Sequence, residues 1–168
     1  MNPDSLPSAY IIGFQKSGTT SIHNWLSQSN IVSLPKFKET HFFSDDSKYK
    51  RGIKWYLKQF SNNNKSKLKI EIDPSYIIST DALNRIKNHS QKSPKFIFIL
   101  RRPLDRAYSH YLMSKYRGFE DLSFMEALEA EDYRLKNDNS NFSLLNYSYK
   151  FRSEYFYHIK KFKSIFKN

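Results

Sequence analysis

Cysteine is absent from the 168 residues. That excludes disulfides, thiol nucleophiles and cysteine-ligated zinc, and with them the stapled scaffold of a small secreted domain. Long apolar runs are missing too. The longest strongly apolar stretch, residues 96–100, is far shorter than the ~20 residues of a membrane-spanning helix. Residues 1–9 show no positive segment followed by an apolar one. A cytoplasmic protein without a membrane span is expected. Acidic residues are in short supply, with 16 Asp and Glu against 28 Lys and Arg, a net charge of +12. Such a surplus suits an anionic partner, whether nucleic acid, a phosphorylated cofactor, an acidic glycan or a membrane surface. The lysines are nevertheless scattered, as on an ordinary solvated face. His23, His41, His89, His110 and His158 have no metal-ligating spacing, so no metal site is expected. No internal repeat is visible, and no nucleophile elbow surrounds Ser17 or Ser109.

What the chain has is apolar and aromatic bulk: 39% hydrophobic and 17% aromatic residues. That is too much for a disordered segment and enough for residues 1–168 to bury a core as one domain. The 12 Tyr and 14 Phe fall mostly at helical or strand periods, which favours core packing over a base-stacking platform, so no nucleic acid is expected as partner. Residues 9–14 are a short run of β-formers and read as a buried strand. Residues 21–28 then read as a helix with Ile22, Trp25 and Leu26 on one face. Residues 68–72 alternate and stop at Asp73-Pro74. Residues 96–100 read as the most clearly buried strand. They are followed by Arg101-Arg102-Pro103, with proline where a helix would begin. Leu104, Ala107, Tyr108, Tyr111 and Leu112 continue at helical spacing. Ser123-Phe124-Met125-Glu126 forms a capping box that opens a short helix, and Tyr155, Ile159, Phe162 and Phe166 give a last stripe. Polar breaks at residues 61–65 and 137–141 read as surface loops. Strands alternating with helices predict an α/β fold around a mostly parallel central sheet.

Gly13-Phe14-Gln15-Lys16-Ser17-Gly18-Thr19-Thr20 lies between the first strand and the first helix, where open α/β sheets bind ligands. Gly18 lets the backbone turn its N–H groups inward, and the helix N-terminus favours an anion. Lys16 adds a full charge, and Thr19, Thr20 and Ser21 add hydroxyls. An ATP or GTP loop would carry its lysine directly after the second glycine; here Lys16 precedes Gly18. A metal-holding strand would end in Asp, whereas residues 96–100 end in Arg101-Arg102, which repel a metal and attract a phosphate. Glu71 and Asp73 keep a P-loop nucleotide kinase open as an alternative, and the charge keeps a basic nucleic-acid-binding module open.

Lys16-Ser17-Gly18-Thr19-Thr20 resembles the 5′-phosphosulfate loop of sulfotransferases that use 3′-phosphoadenosine 5′-phosphosulfate (PAPS). Leu100-Arg101-Arg102-Pro103 through Ser109-His110-Tyr111 is similar to that family's second signature, with Arg102 in place of the usual acidic or amide residue. Lys38-Glu39-Thr40-His41-Phe42-Phe43, Gly52-Ile53-Lys54-Trp55-Tyr56-Leu57 and Asp73-Pro74-Ser75-Tyr76 resemble the heparan-sulfate-type and related bacterial branch. The resemblance implies a P-loop-like three-layer fold. It also implies PAPS as co-substrate with no metal, and a hydroxyl-bearing acceptor such as a glycan. In this reading Lys16, Ser17, Gly18, Thr19, Thr20 and Ser21 hold the 5′-phosphosulfate, and Arg101 and Ser109 hold the 3′-phosphate. Glu39 is the catalytic base, His41 supports it, and Lys16 meets the charge on the leaving group. The bland reading of Glu39 is a surface residue paired with Lys38 or Lys36. Ser44 stands where the glycan enzymes often carry Asp, and Ile72 where a lysine often follows the glutamate, which turns the expectation away from heparan sulfate in particular. The family's later strand, helices and basic loop have no counterpart here, so the chain is expected to be the N-terminal, donor-binding portion of that domain.

Overall fold

The computed structural model describes residues 6–60, 68–90, 94–138, 140 and 142–166. Among these, four strands form one parallel sheet: β1 (Ala9–Gly13), β2 (Val32–Ser33), β3 (Leu68–Ile72) and β4 (Lys95–Phe98), in the order β2-β3-β1-β4. The helices are α1 (Thr19–Ser27), α2 (Asp46–Tyr49), α3 (Ile53–Leu57), α4 (Thr80–His89), α5 (Pro103–Tyr116), α6 (Phe124–Asn137), α7 (Phe142–Asn146) and α8 (Tyr155–Ile165). Tight 3-10 turns occupy Tyr76–Ile78 and Phe151–Ser153.

β1 is central and buried along its whole length. Its Ala9, Tyr10 and Ile11 lie opposite Ile70, Glu71 and Ile72 of β3, and opposite Lys95, Phe96 and Ile97 of β4. Because strand side chains alternate between faces, β1 builds two different cores. Ala9 and Ile11 join Ile70 and Ile72 beneath Ile22 and Leu26 of α1. Tyr10, Ile12 and Phe14 enter an aromatic layer with Phe42, Phe43, Tyr56, Phe60 and Tyr76, closed by Ala82, Leu83 and Ile86 of α4 and Phe162 of α8. Phe42 stacks on Tyr56 at 4.6 Å and meets Phe43 edge-on at 4.9 Å. The result is three layers, as expected. A smaller cluster, Ala107, Tyr111, Ala127 and Tyr149, joins α5 to α6.

Several details differ from the sequence expectation. Residues 96–100 are not the most buried strand: β4 is an edge, and Ile97 and Leu100 stay about half exposed. Trp25 is exposed, since the sheet covers only the narrow stripe of α1 that carries Ile22 and Leu26. On α5, Ala107 and Tyr111 are buried while Leu104, Tyr108 and Leu112 remain exposed. The capping box at Ser123 is present with both reciprocal bonds, but α6 runs for 14 residues rather than as a short helix. The polar break at residues 61–65 lies outside the described residues, as do parts of that at 137–141.

Candidate functional site

The loop at residues 13–20 starts where β1 and β4 are still joined. Phe14 donates its N–H to Ile99 O at 2.9 Å, and Ile99 donates to Gly13 O at 2.8 Å. Gly13 fits tightly there, since a Cβ would meet Ile77 Cγ2 at 3.0 Å. The loop then turns through left-handed conformations at Lys16 (φ 70°) and Gly18 (φ 99°). The first bond of α1 runs from Ile22 N–H to Gly18 O at 3.2 Å, so the N–H groups of Thr19, Thr20 and Ser21 precede the helical ladder. Among the described residues no side chain caps them, and no acidic residue occupies the first turn. Ser17 Oγ is buried without a protein partner among the described residues. A buried hydroxyl beside helix N–H groups suits an anion. Thr19 is buried, whereas Thr20 and Ser21 are exposed.

Cations gather around this turn. Burial, then Arg117, Arg101 and Lys38, draw the Lys16 ammonium down from the ordinary lysine range. Arg101 reaches Lys16 O with Nη1 at 3.2 Å, and its own carbonyl accepts the Tyr155 hydroxyl at 2.8 Å. Lys16 and Ser109 share an open cavity of about 640 Å³ with Leu112, Met113, Lys115 and Tyr116. Arg102, the departure in the second signature, points to solvent and lies 3.7 Å from Asp105. Sequence reasoning missed Arg106 and Arg152, both buried. Arg106 holds Gln15 O at 3.4 Å, Ser153 Oγ at 2.6 Å and Tyr149 O, so it braces the loop at residues 13–20. Burial brings both guanidiniums down to about 10, still charged at neutral pH. The same burial, with Arg152 and Arg106 nearby, drives His110 well below its ordinary value, so it is neutral.

The second loop of the site runs from Lys38 to Phe43. Glu39 (φ 59°) and His41 (φ 53°) are both left-handed without being glycine, a conformation that persists only where surrounding contacts enforce it. Those contacts are explicit. Thr40 Oγ1 donates to the Glu71 carboxylate and accepts Phe42 N–H at 3.1 Å. His41 N–H donates to Asp73 Oδ2 at 2.8 Å, and Lys48 Nζ donates to Thr40 O at 3.0 Å. Glu71 is fully buried and also receives the hydroxyls of Tyr56 and Tyr76. Burial, and secondarily Asp73, raise its pKa to about 7 against the pull of those hydroxyls. Glu39 does form the expected pair with Lys38, at 2.5 Å, yet its other oxygen faces His41 Nε2 at 4.0 Å. His41 Nδ1 lies 3.0 Å from Asp73. The hydrogen bond to Asp73 raises the His41 pKa, against burial. Lys38 belongs to the cationic field at Lys16. Ile72 packs beneath α1 on the other face of the sheet, so no cation stands there. Among the described residues no three His, Asp or Glu side chains cluster as metal ligands.

The sulfotransferase domain family profile matches residues 6–168. The chain is 36% identical over 106 residues to mouse heparan sulfate glucosamine 3-O-sulfotransferase 5, covering 63% of this chain and 30% of that protein. It is 30% identical over 151 residues to the Drosophila melanogaster bifunctional heparan sulfate N-deacetylase/N-sulfotransferase, covering 78% of this chain and 14% of that one. It therefore spans less than a third of either relative. The crystal structure of a sulfotransferase from Alicyclobacillus acidocaldarius superposes with a TM-score of 0.80 at 26% identity, over 96% of this chain and 70% of that one.

Proposed function

The chain belongs to the sulfotransferase domain family, and from that membership we propose that it moves a sulfuryl group from PAPS to a hydroxyl of a carbohydrate or other small acceptor. The observation that carries the donor assignment is the phosphate turn, with its buried unpartnered Ser17 Oγ, its uncapped N–H groups on Thr19, Thr20 and Ser21, and Lys16 beside them. These groups would hold the 5′-phosphosulfate. Arg101 and Ser109 would hold the 3′-phosphate, Arg101 through a planar fork suited to phosphate oxygens. PAPS supplies the activated sulfuryl group. Lys16 neutralises charge that builds on the oxygen left behind as the S–O bond breaks.

Glu39 acts as the base that takes the acceptor's proton during in-line attack, and His41 supports it. The heparan-sulfate relatives support a glycan as acceptor. The kinase alternative weakens because its candidate metal carboxylates are already engaged. Glu71 is wrapped by three hydroxyls, and Asp73 by His41 and Ser75.

Titration calorimetry with adenosine 3′,5′-bisphosphate and AMP tests the donor assignment. A charge-assisted contact to the extra phosphate is worth about 1.5 to 3 kcal/mol, or roughly 10- to 150-fold in Kd. Equal affinity for the two nucleotides would remove Arg101 and Ser109 from the site.

A further inference from the structure

Asp73 follows β3 and is fully buried. Its oxygens are divided between two neighbours. Oδ1 accepts Ser75 N–H at 3.0 Å. Oδ2 accepts the backbone N–H of His41 at 2.8 Å and lies 3.0 Å from Nδ1 of the same residue's ring. One carboxylate therefore holds both the strained backbone of His41 and its side chain. An ionised carboxylate only accepts, so the ring nitrogen facing it must carry hydrogen. In neutral imidazole the lone pair is then left on Nε2. Nε2 is the atom that faces Glu39 Oε2, 4.0 Å away.

We propose that Asp73 is a positioning residue that fixes His41 as its Nδ1–H tautomer with the Nε2 lone pair turned to Glu39, making His41 the next stop for the proton that Glu39 collects. The relay step rests on the sulfotransfer reading. In it the acceptor O–H bond breaks and a new O–S bond forms. The S–O bond to the 5′-phosphate breaks, and its electron pair leaves on the phosphate. The proton goes first to the Glu39 carboxylate and then to His41 Nε2. The resulting imidazolium is balanced by Asp73 and returns its proton to water. The charged groups facing the ring are Asp73, Glu39 and Lys48; the two carboxylates favour the imidazolium, and Lys48 and burial oppose it.

Long-range ¹H–¹⁵N spectra of histidine-labelled chain test this without turnover. Neutral His41 should show Nδ1–H, and Asp73→Ala, which removes the acceptor facing Nδ1, should move it toward Nε2–H and lower its pKa. Glu39→Gln should leave the tautomer as it was. With PAPS and an acceptor, Asp73→Ala should lower kcat by about 10²- to 10⁴-fold while the Kd for adenosine 3′,5′-bisphosphate holds. The wild-type spectrum decides the point even if Asp73→Ala does not fold. Nε2–H in neutral wild-type His41, or a tautomer that survives Asp73→Ala, overturns the proposal. A switched tautomer with unchanged kcat overturns the relay. Failure of the sulfotransfer reading would appear elsewhere, as wild-type chain that does not bind the bisphosphate, and the tautomer would still be read.

Discussion

Glu71 should make this fold less stable as the solution becomes more basic. The carboxyl is fully buried beneath the Glu39–His41 loop, and burial together with Asp73 raises its pKa to about 7. In the unfolded chain it titrates near 4.3. Between those values the folded state keeps a proton that the unfolded state has lost. Stability therefore falls as pH rises, following the difference in bound protons. The contribution is fully present below the unfolded pKa and lost once pH passes the folded one. A shift of this size corresponds to roughly 3 to 4 kcal/mol in all, of which roughly 2 to 3 kcal/mol should disappear between pH 5 and pH 8. Glu71→Gln removes the titration while offering an oxygen to two of the three hydroxyls and an amide to the third. Urea denaturation of both proteins at pH 5, 6, 7 and 8 isolates the effect, because every other group is common to the pair. Wild-type stability should lose about that much relative to Glu71→Gln across the series. Parallel stability profiles would show that the carboxyl is ionised throughout, and that the three hydroxyls outweigh burial.

Lys16→Ala should slow transfer more than it weakens bisphosphate binding, because the helix N–H groups and Arg101 remain while the leaving group loses its counter-charge; single-turnover kinetics beside calorimetry would separate the two, and no change in either would make the loop a passive turn. Lys16→Arg should not restore the full rate, since a planar fork replaces a compact charge. Glu39→Gln should lower kcat by about 10²- to 10⁴-fold with donor affinity kept, and full turnover by that variant would move the base to His41. Gly18→Ala should cost roughly 1 to 2 kcal/mol through its φ of 99° alone, as no described residue lies within 4 Å of the added Cβ; an unchanged urea midpoint would mean that the turn relaxes freely.

The turn between β1 and α1 was legible because it is local. Strand, glycine, lysine and hydroxyls follow one another, and the helix that orients their N–H groups begins at the next residue. The capping box at Ser123 was legible for the same reason. Sheet order was not. The apolar run at residues 96–100 identifies a strand, but its place in the sheet depends on crossovers that no single segment encodes, and the most apolar strand became the half-exposed edge. The exposed stripe of Leu104, Tyr108 and Leu112 on α5 has the same origin. Helical spacing shows that residues share a face and leaves open whether another element covers it.

The buried polar network was the hardest part to read, and β3 shows why. Leu68, Ile70 and Ile72 alternate with Lys69, Glu71 and then Asp73, a pattern that by itself suggests one dry face and one wet face. In a parallel sheet covered on both sides, the second face is interior as well. Period two therefore carries Glu71 and Asp73 together into the aromatic layer, where Thr40 and His41 arrive from 31 and 32 residues earlier. A carboxylate placed there survives only by collecting hydrogen-bond donors. Those donors come from the loop that has to hold Glu39 and His41 in left-handed conformations. The acidic residues that the sequence offered as metal ligands are thus spent on backbone geometry, and the shape of the Glu39 loop follows from the burial of β3. Any change that lets water reach Glu71 should loosen Glu39 and His41 before it disturbs the turn between β1 and α1, which is braced separately by Arg106 through Gln15 O.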